Sequence, residues 1–159
     1  MIVVSDTSPI SNLLQIGEIE LLRLTFSRVI IPDAVHHEIC EVETSKSALS
    51  ELNWIERLTV SDVALRDRLL EIVDPGEAEA ITLAVELSCD FLLIDEALGR
   101  NVAKKLGITI TGLLGVLLRA KNDGHIVLVK PYIDRLVNEA GFRLSASLID
   151  DALQQAGEE

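Results

Sequence analysis

Short apolar runs alternate along this chain with longer stretches of helical period, a pattern that predicts an α/β domain built on a mostly parallel sheet. IVVS at 2–5 reads as the first strand. Ser8-Pro9 opens a helix that Gly17 closes, and EIELLRLTF follows as a second short helix. VII at 29–31 is the second strand, Pro32 opens the helix PDAVHHEICEV, and a polar helix follows around 45–52. IERLTV at 55–60 reads as a third strand, and ALRDRLLEIV as a helix that Asp74-Pro75-Gly76 breaks. The most regular stretch comes next: helix GEAEAITLAVELS, strand FLLI at 91–94, helix EALGRNVAKKLG, strand ITIT at 108–111 and helix GLLGVLLRAKNDG. Two further helices, near 131–140 and 145–156, close the chain.

Parallel strands need crossover connections, and in open α/β sheets ligands gather beyond the carboxyl ends of the strands, where strand order reverses. Acids placed there therefore carry the most information. Asp6 directly follows strand one, and Asp95 and Glu96 follow strand four. Glu77 lies in the first turn after Asp-Pro-Gly, and at 100° per residue it shares a face with Ala80, Ile81 and Ala84, so it points inward, whereas Glu79 sides with Thr82, Leu83 and Glu86. Glu38 has Ala34, Val35 and Val42 as its helical neighbours and is the acid nearest that helix's apolar face.

Each acid taken singly has an ordinary structural account: Asp6 and Asp95 as helix caps, Glu96 and Glu77 as first-turn charges on a helix dipole, Glu38 as a residue at the rim of the core. Taken together they are placed where the topology converges, and a cluster of that kind repels itself unless something offsets the charge. Mg²⁺ and Mn²⁺ prefer carboxylate and water oxygens, and such a pocket suits hydrolysis of a phosphodiester.

Composition narrows the setting. At 159 residues, 48% of them hydrophobic and 25% charged, the chain has the size and apolar content of one domain spanning 1–159. Five aromatic residues are too few for a base-stacking platform. Cys40 and Cys89 form no CxxC pair and no Cys/His cluster, which points to a reducing, cytoplasmic setting. The first residues carry no basic leader, and the run GLLGVLL is far short of the roughly 20 residues that cross a bilayer, so no membrane role is expected.

The net charge of −12 speaks against a polyanionic ligand, but it hides a split. Residues 1–99 carry 19 acids and 6 bases, residues 100–143 carry 3 acids and 8 bases, and residues 144–159 carry 4 acids and no base. Arg100, Lys104, Lys105, Arg119, Lys121, Lys130, Arg135 and Arg143 thus form a basic segment on an acidic body, suited either to solvated helix faces or to phosphate contacts.

The ordered set VVSDTSPISNLLQIG, IIPDAVHHEI, DPGEAEAITLAVEL and LLIDEALGRNVAKKLGITITGLLGVLLRAKNDG resembles a PIN domain, especially the prokaryotic VapC-like branch, over roughly residues 2–143. The resemblance implies a three-layer α/β/α fold with a parallel sheet of four or five strands and an Mg²⁺- or Mn²⁺-dependent ribonuclease site made of three or four acids. The first acid matches Asp6, with Thr7 and Ser8 beside it; the second matches Glu38 and the third Glu77; the fourth matches Asp95 or Glu96. The third position in PIN enzymes is often Asp, and a Thr-x-Asp run often follows strand four, where this chain has Ile94-Asp95-Glu96. Asp6, Glu38, Glu77, Asp95 and Glu96 are thus the implied metal ligands, and Ser8, Arg100 and Lys104 the expected substrate contacts. RNA, a small antitoxin protein and a second copy of the chain are the partners implied by analogy.

Two other classes compete. A catalytically silent PIN-like module would keep the fold and bind rather than cut. A phospho-receiver-like domain would use Asp62 as phosphoacceptor and Lys130-Pro131 as its basic corner, but it leaves Glu38 and Glu77 unexplained.

Overall fold

The computed structural model describes residues 1–158. Five strands, β1 (Val3–Ser5), β2 (Val29–Pro32), β3 (Ile55–Leu58), β4 (Phe91–Leu93) and β5 (Ile110–Thr111), form a sheet in the order β3-β2-β1-β4-β5 with every pairing parallel. The continuous apolar runs in the sequence follow from this: a central parallel strand is covered on both faces, and Val3, Val4, Ile31, Leu92 and Leu93 are all buried. Edge strand β3 is half-exposed, matching its mixed IERL composition. Strand β5 is shorter than the ITIT run predicts: the Ile108 amide is still bonded back to Ala103 O of the preceding helix, and only the Thr109 carbonyl, accepting from Leu92 N, leads into the ladder.

Ten helices of the described residues fill the connections: α1 (Thr7–Gln15), α2 (Glu20–Phe26), α3 (Asp33–Cys40), α4 (Glu43–Ser50), α5 (Val63–Leu69), α6 (Pro75–Glu86), α7 (Ala97–Lys105), α8 (Leu113–Asn122), α9 (Lys130–Glu139) and α10 (Ala146–Gln155). They sandwich the sheet in a three-layer α/β/α arrangement. Helix α6 is the most deeply set, with Ala78, Ala80, Ile81, Leu83 and Ala84 buried against β1, β2 and β4, and it also packs on α3. Helices α2 and α8 pack on each other and against β2 and β5 respectively. No helix among the described residues is long and apolar enough to cross a membrane.

Strand order reverses between β1 and β4, since β1 continues leftward to β2 and β4 continues rightward to β5. The ladder between them runs from Val3 opposite Phe91 to Ser5 opposite Leu93, and the Asp6 amide carries it one step further by donating to Leu93 O at 2.9 Å. The chain leaves both strands at this point, so Asp6 and the Ile94-Asp95-Glu96 run sit at the head of one crevice. This order is not the 2-1-3-4-5 order of receiver-like folds. Asp62 is taken up as the N-cap of α5, accepting from Leu65 N at 3.1 Å, and Lys130 pairs with Asp134 at 3.0 Å on α9. The phospho-receiver reading is therefore overturned.

Candidate functional site

Three acids from separate stretches of chain meet beyond the ends of β1 and β2. Asp6 stands at the N-cap position of α1, yet its side chain caps nothing there, and it is only 4% exposed. Burial, with the nearby Glu77, Asp74 and Glu38 carboxylates, pushes it up to about 8 despite the opposing Thr7 amide. Glu77, 6% exposed, is pushed up to about 6 by burial and by Asp74, Glu96 and Glu38. Glu38 is raised in the same sense by burial and by Asp74, against the Thr7 hydroxyl and the Gly76 amide, which favour its charged form. Among the described residues none of the three forms an ion pair with a basic side chain.

Local sequence explains each placement. Pro32 closes β2 and starts α3, whose buried Val35 and Ile39 turn Glu38 toward α1, where the Thr7 hydroxyl donates to Glu38 Oε2. Asp74-Pro75-Gly76-Glu77 forms a capping box, with Asp74 Oδ1 accepting from Glu77 N at 2.8 Å and Glu77 Oε2 accepting more loosely from Asp74 N at 3.4 Å. Gly76 is required by closeness: a Cβ there would lie 2.7 Å from Glu38 Oε1. A Cβ on Gly99 would lie 2.7 Å from Ile94 Cδ1 and 3.3 Å from Glu77 Cδ, so a second glycine makes room for Ile94 and for the third acid.

The run after β4 divides in two. Asp95 Oδ1 accepts from Leu113 N at 3.1 Å at the start of α8, and its Oδ2 is buried without a hydrogen-bond partner. Burial and Glu96 hold its carboxyl up at about 6 against the Leu113 amide and Arg100. Asp95 is not among the charges acting on Asp6 or Glu77, whereas Glu96 is one of those raising Glu77. Glu79, which helical geometry sets apart from Glu77, lies elsewhere and accepts from Ala34 N at 3.0 Å.

Asp74 escapes the sequence reading, in which it serves only to break a helix. It is exposed, and its charge acts on Asp6, Glu38 and Glu77 together. The signal was the D-x-x-E spacing, which marks a helix start and a pair of neighbouring acids at once.

A groove of about 1000 Å³ opens at Asp95 and Glu96 and is lined also by Ser8, Arg100, Lys104 and Arg143, while Asp6, Glu38 and Glu77 are not among its lining residues. The basic segment is thereby resolved into two sets. Arg119 lies between the Phe26 and Phe91 rings, 5.4 and 5.1 Å from their centroids. Lys121, Lys130 and Arg135 are bound to carboxylates. Arg100, Lys104 and Arg143 face the groove.

A family model described as a PIN domain matches residues 2–158. The chain belongs to the PIN-domain family. Its match extends past the stretch 2–143 on which the resemblance is legible, and so includes α10 as well. PIN domains are a nuclease-type fold, generally hydrolases, and typically use divalent metals. No curated protein matches the chain.

The donor set of this PIN domain suits such an ion in its chemistry. Asp6, Glu38 and Glu77 offer hard oxygen donors, two of them almost wholly buried, and no basic side chain competes for them. Among the described residues, however, no three Asp, Glu, His or Cys side chains are already drawn together as a ready ligand set. Glu38 is held by Thr7 and Glu77 by its capping box, each through its Oε2.

Proposed function

We propose that this PIN domain is a divalent-metal-dependent endoribonuclease, the toxin of a VapC-like toxin–antitoxin pair acting in the cytoplasm. The observation that carries the reading is the convergence of Asp6, Glu38 and Glu77, in which burial raises all three, Glu77 and Glu38 also raise Asp6, Glu38 also raises Glu77, and no basic side chain pairs with any of them. A protein keeps so unfavourable a group of charges where something binds to it. Asp6, Glu38 and Glu77 would hold the ion, with Asp95 or Glu96 as the fourth acid. When bound, Mg²⁺ or Mn²⁺ supplies activation of water and neutralisation of charge on the phosphodiester.

The residues of the chain supply the remainder. Thr7 fixes the Glu38 carboxylate, and Asp95 ties the end of β4 to the start of α8. Ser8, Arg100 and Lys104 line the groove beside the acids and suit contacts to RNA phosphates, which position the strand without reading its sequence. A small antitoxin blocking the crevice and a homodimer are further proposals that rest on the likeness to VapC-like proteins alone.

One observation favours a second reading, a silent PIN-like binding module: the acids are not already drawn into a ligand set. Cleavage of labelled RNA with Mn²⁺ or Mg²⁺ separates the two. The nuclease reading predicts cleavage by the wild type that is lost in Asp6→Asn and Glu77→Gln while both stay folded. Intact RNA under every metal favours the silent module.

A further inference from the structure

The walls of the groove beside Asp95 and Glu96 carry cations and acids together. One face of α7 supplies Arg100 and Lys104, spaced i and i+4, and Arg143 joins them from the loop before α10. The facing wall is α10, whose Asp151 and Gln155, also i and i+4, line the same space. Among the described residues no ion pair bridges the walls. Arg100 Nη1 donates to Ile94 O at 2.8 Å, while Lys104 and Arg143 face an open volume of about 1000 Å³ that α10 also lines.

Helix α10 is the least embedded of those around the groove, with Ala152 its one buried residue. Ile149 and Leu153 pack partly buried against the core, and a polar latch just beyond the helix end adds to them. Glu158 Oε2 accepts from Lys121 Nζ and from Val129 N, both at 2.8 Å, and Oε1 accepts from Lys130 N at 3.1 Å, which caps the start of α9. Lys121 Nζ also donates to Ala156 O at 2.5 Å. An element held by few apolar contacts and one polar anchor opens more readily than the core does.

We propose that α10 is a built-in electrostatic competitor: its carboxylates oppose entry of a polyanion along the Arg100–Lys104–Arg143 wall, and the Lys121–Glu158 latch sets how readily the helix yields to an RNA strand. The proposal rests on the reading of this groove as the path of RNA. It accounts for the charge order of the sequence, in which a basic segment is followed directly by an acidic end with no base. Each phosphate contact contributes a salt-dependent increment to binding, so a carboxylate held opposite those contacts subtracts from it.

The test is fluorescence anisotropy of a labelled single-stranded RNA oligonucleotide, with divalent ions chelated so that nothing is cut, at low and moderate salt. Asp150→Asn/Asp151→Asn should tighten binding about three- to tenfold at low salt, with the gain shrinking as salt is added. Lys121→Met should tighten it about two- to threefold, with faster hydrogen exchange confined to the amides of 146–155. Arg100→Ala/Lys104→Ala should weaken it about tenfold or more. If the acid-to-amide variant binds within about twofold of wild type while the Arg100/Lys104 variant weakens, the competitor role is overturned and the groove stands as the RNA path. If the Arg100/Lys104 variant also binds like wild type, or no variant binds RNA, both readings fall. The Asp150 and Asp151 side chains are exposed, so these arms stay informative even if Lys121→Met unfolds the end of the chain.

Discussion

Thr7 and Glu38, 31 residues apart, are joined by a hydrogen bond from the threonine hydroxyl to Oε2 of the glutamate, which fastens the first turn of α1 to the middle of α3. The bond favours the charged form of Glu38 and so works against the burial that raises its pKa. Thr7→Val keeps the shape and removes the donor, so Glu38 takes up protons more readily and loses its orientation. A hydrogen bond to a charged group contributes about 1.5–3 kcal/mol to stability, so the melting temperature should fall by about 3–10 °C, and RNA cleavage by the still-folded variant should fall about 10-fold or more. Steady-state kinetics alongside thermal melts check this.

Gly76→Ala separates site geometry from stability. The added Cβ would fall 2.7 Å from Glu38 Oε1, the end of a flexible side chain that can swing aside. Alanine also favours helix over glycine by about 1 kcal/mol. The variant should therefore melt no lower than wild type and yet lose most of its activity, because Glu38 has been displaced. A drop in melting temperature with activity retained would contradict the assignment of Glu38 to the site.

The acids make stability depend on pH in a definite sense. Asp6 rises from 3.8 unfolded to about 8 folded and Glu77 from 4.5 to about 6, so their contributions are full below about pH 4 and are lost as pH climbs through those folded values. Glu158, lowered to about 2, acts in the opposite sense but only below its unfolded value of 4.5, outside this window. The metal-free protein should lose melting temperature between about pH 5 and about pH 8. Asp6→Asn should recover roughly 3–8 °C at about pH 7.5 and much less at about pH 4.5. Melts across pH in a chelating buffer measure it.

Asp74 raises three acids from the rim while its side chain caps α6. Asp74→Ser keeps a capping oxygen and removes the charge, whereas Asp74→Ala removes both and costs about 1 kcal/mol of stability. In the serine variant the pKa values of Asp6, Glu38 and Glu77 fall, so the acid limb of the pH–rate profile should move to lower pH with the fold intact. An unshifted limb would show that Asp74 serves α6 alone.

Much of this was legible in the sequence because periodicity reports burial. The runs IVVS, VII and FLLI read as strands, each holding an observed strand or most of one, and the helical stripe of Ala80, Ile81 and Ala84 turned Glu77 inward at α6. Other features depend on contacts between distant stretches and leave no periodic trace. The Thr7–Glu38 bond, the room that Gly76 and Gly99 give to Glu38 and Glu77, and the charge of Asp74 on its neighbours appear only once α1, α3 and α6 are packed. The basic segment looked uniform in one dimension. In three, Arg119 was drawn to two phenylalanine rings and Arg100, Lys104 and Arg143 were left to the groove.

The central claim is that Asp6, Glu38 and Glu77 gather a divalent cation, and calorimetric titration of the chelator-stripped protein with Mn²⁺ in buffers of different ionisation enthalpy tests it most directly. Asp6, with its pKa near 8, is largely protonated at about pH 7 and must lose that proton to become a ligand. The account predicts that Mn²⁺ binds with release of on the order of one proton, and that Asp6→Asn and Glu77→Gln each weaken binding at least about tenfold. Binding of equal strength in both variants, or none in the folded wild type, would contradict it.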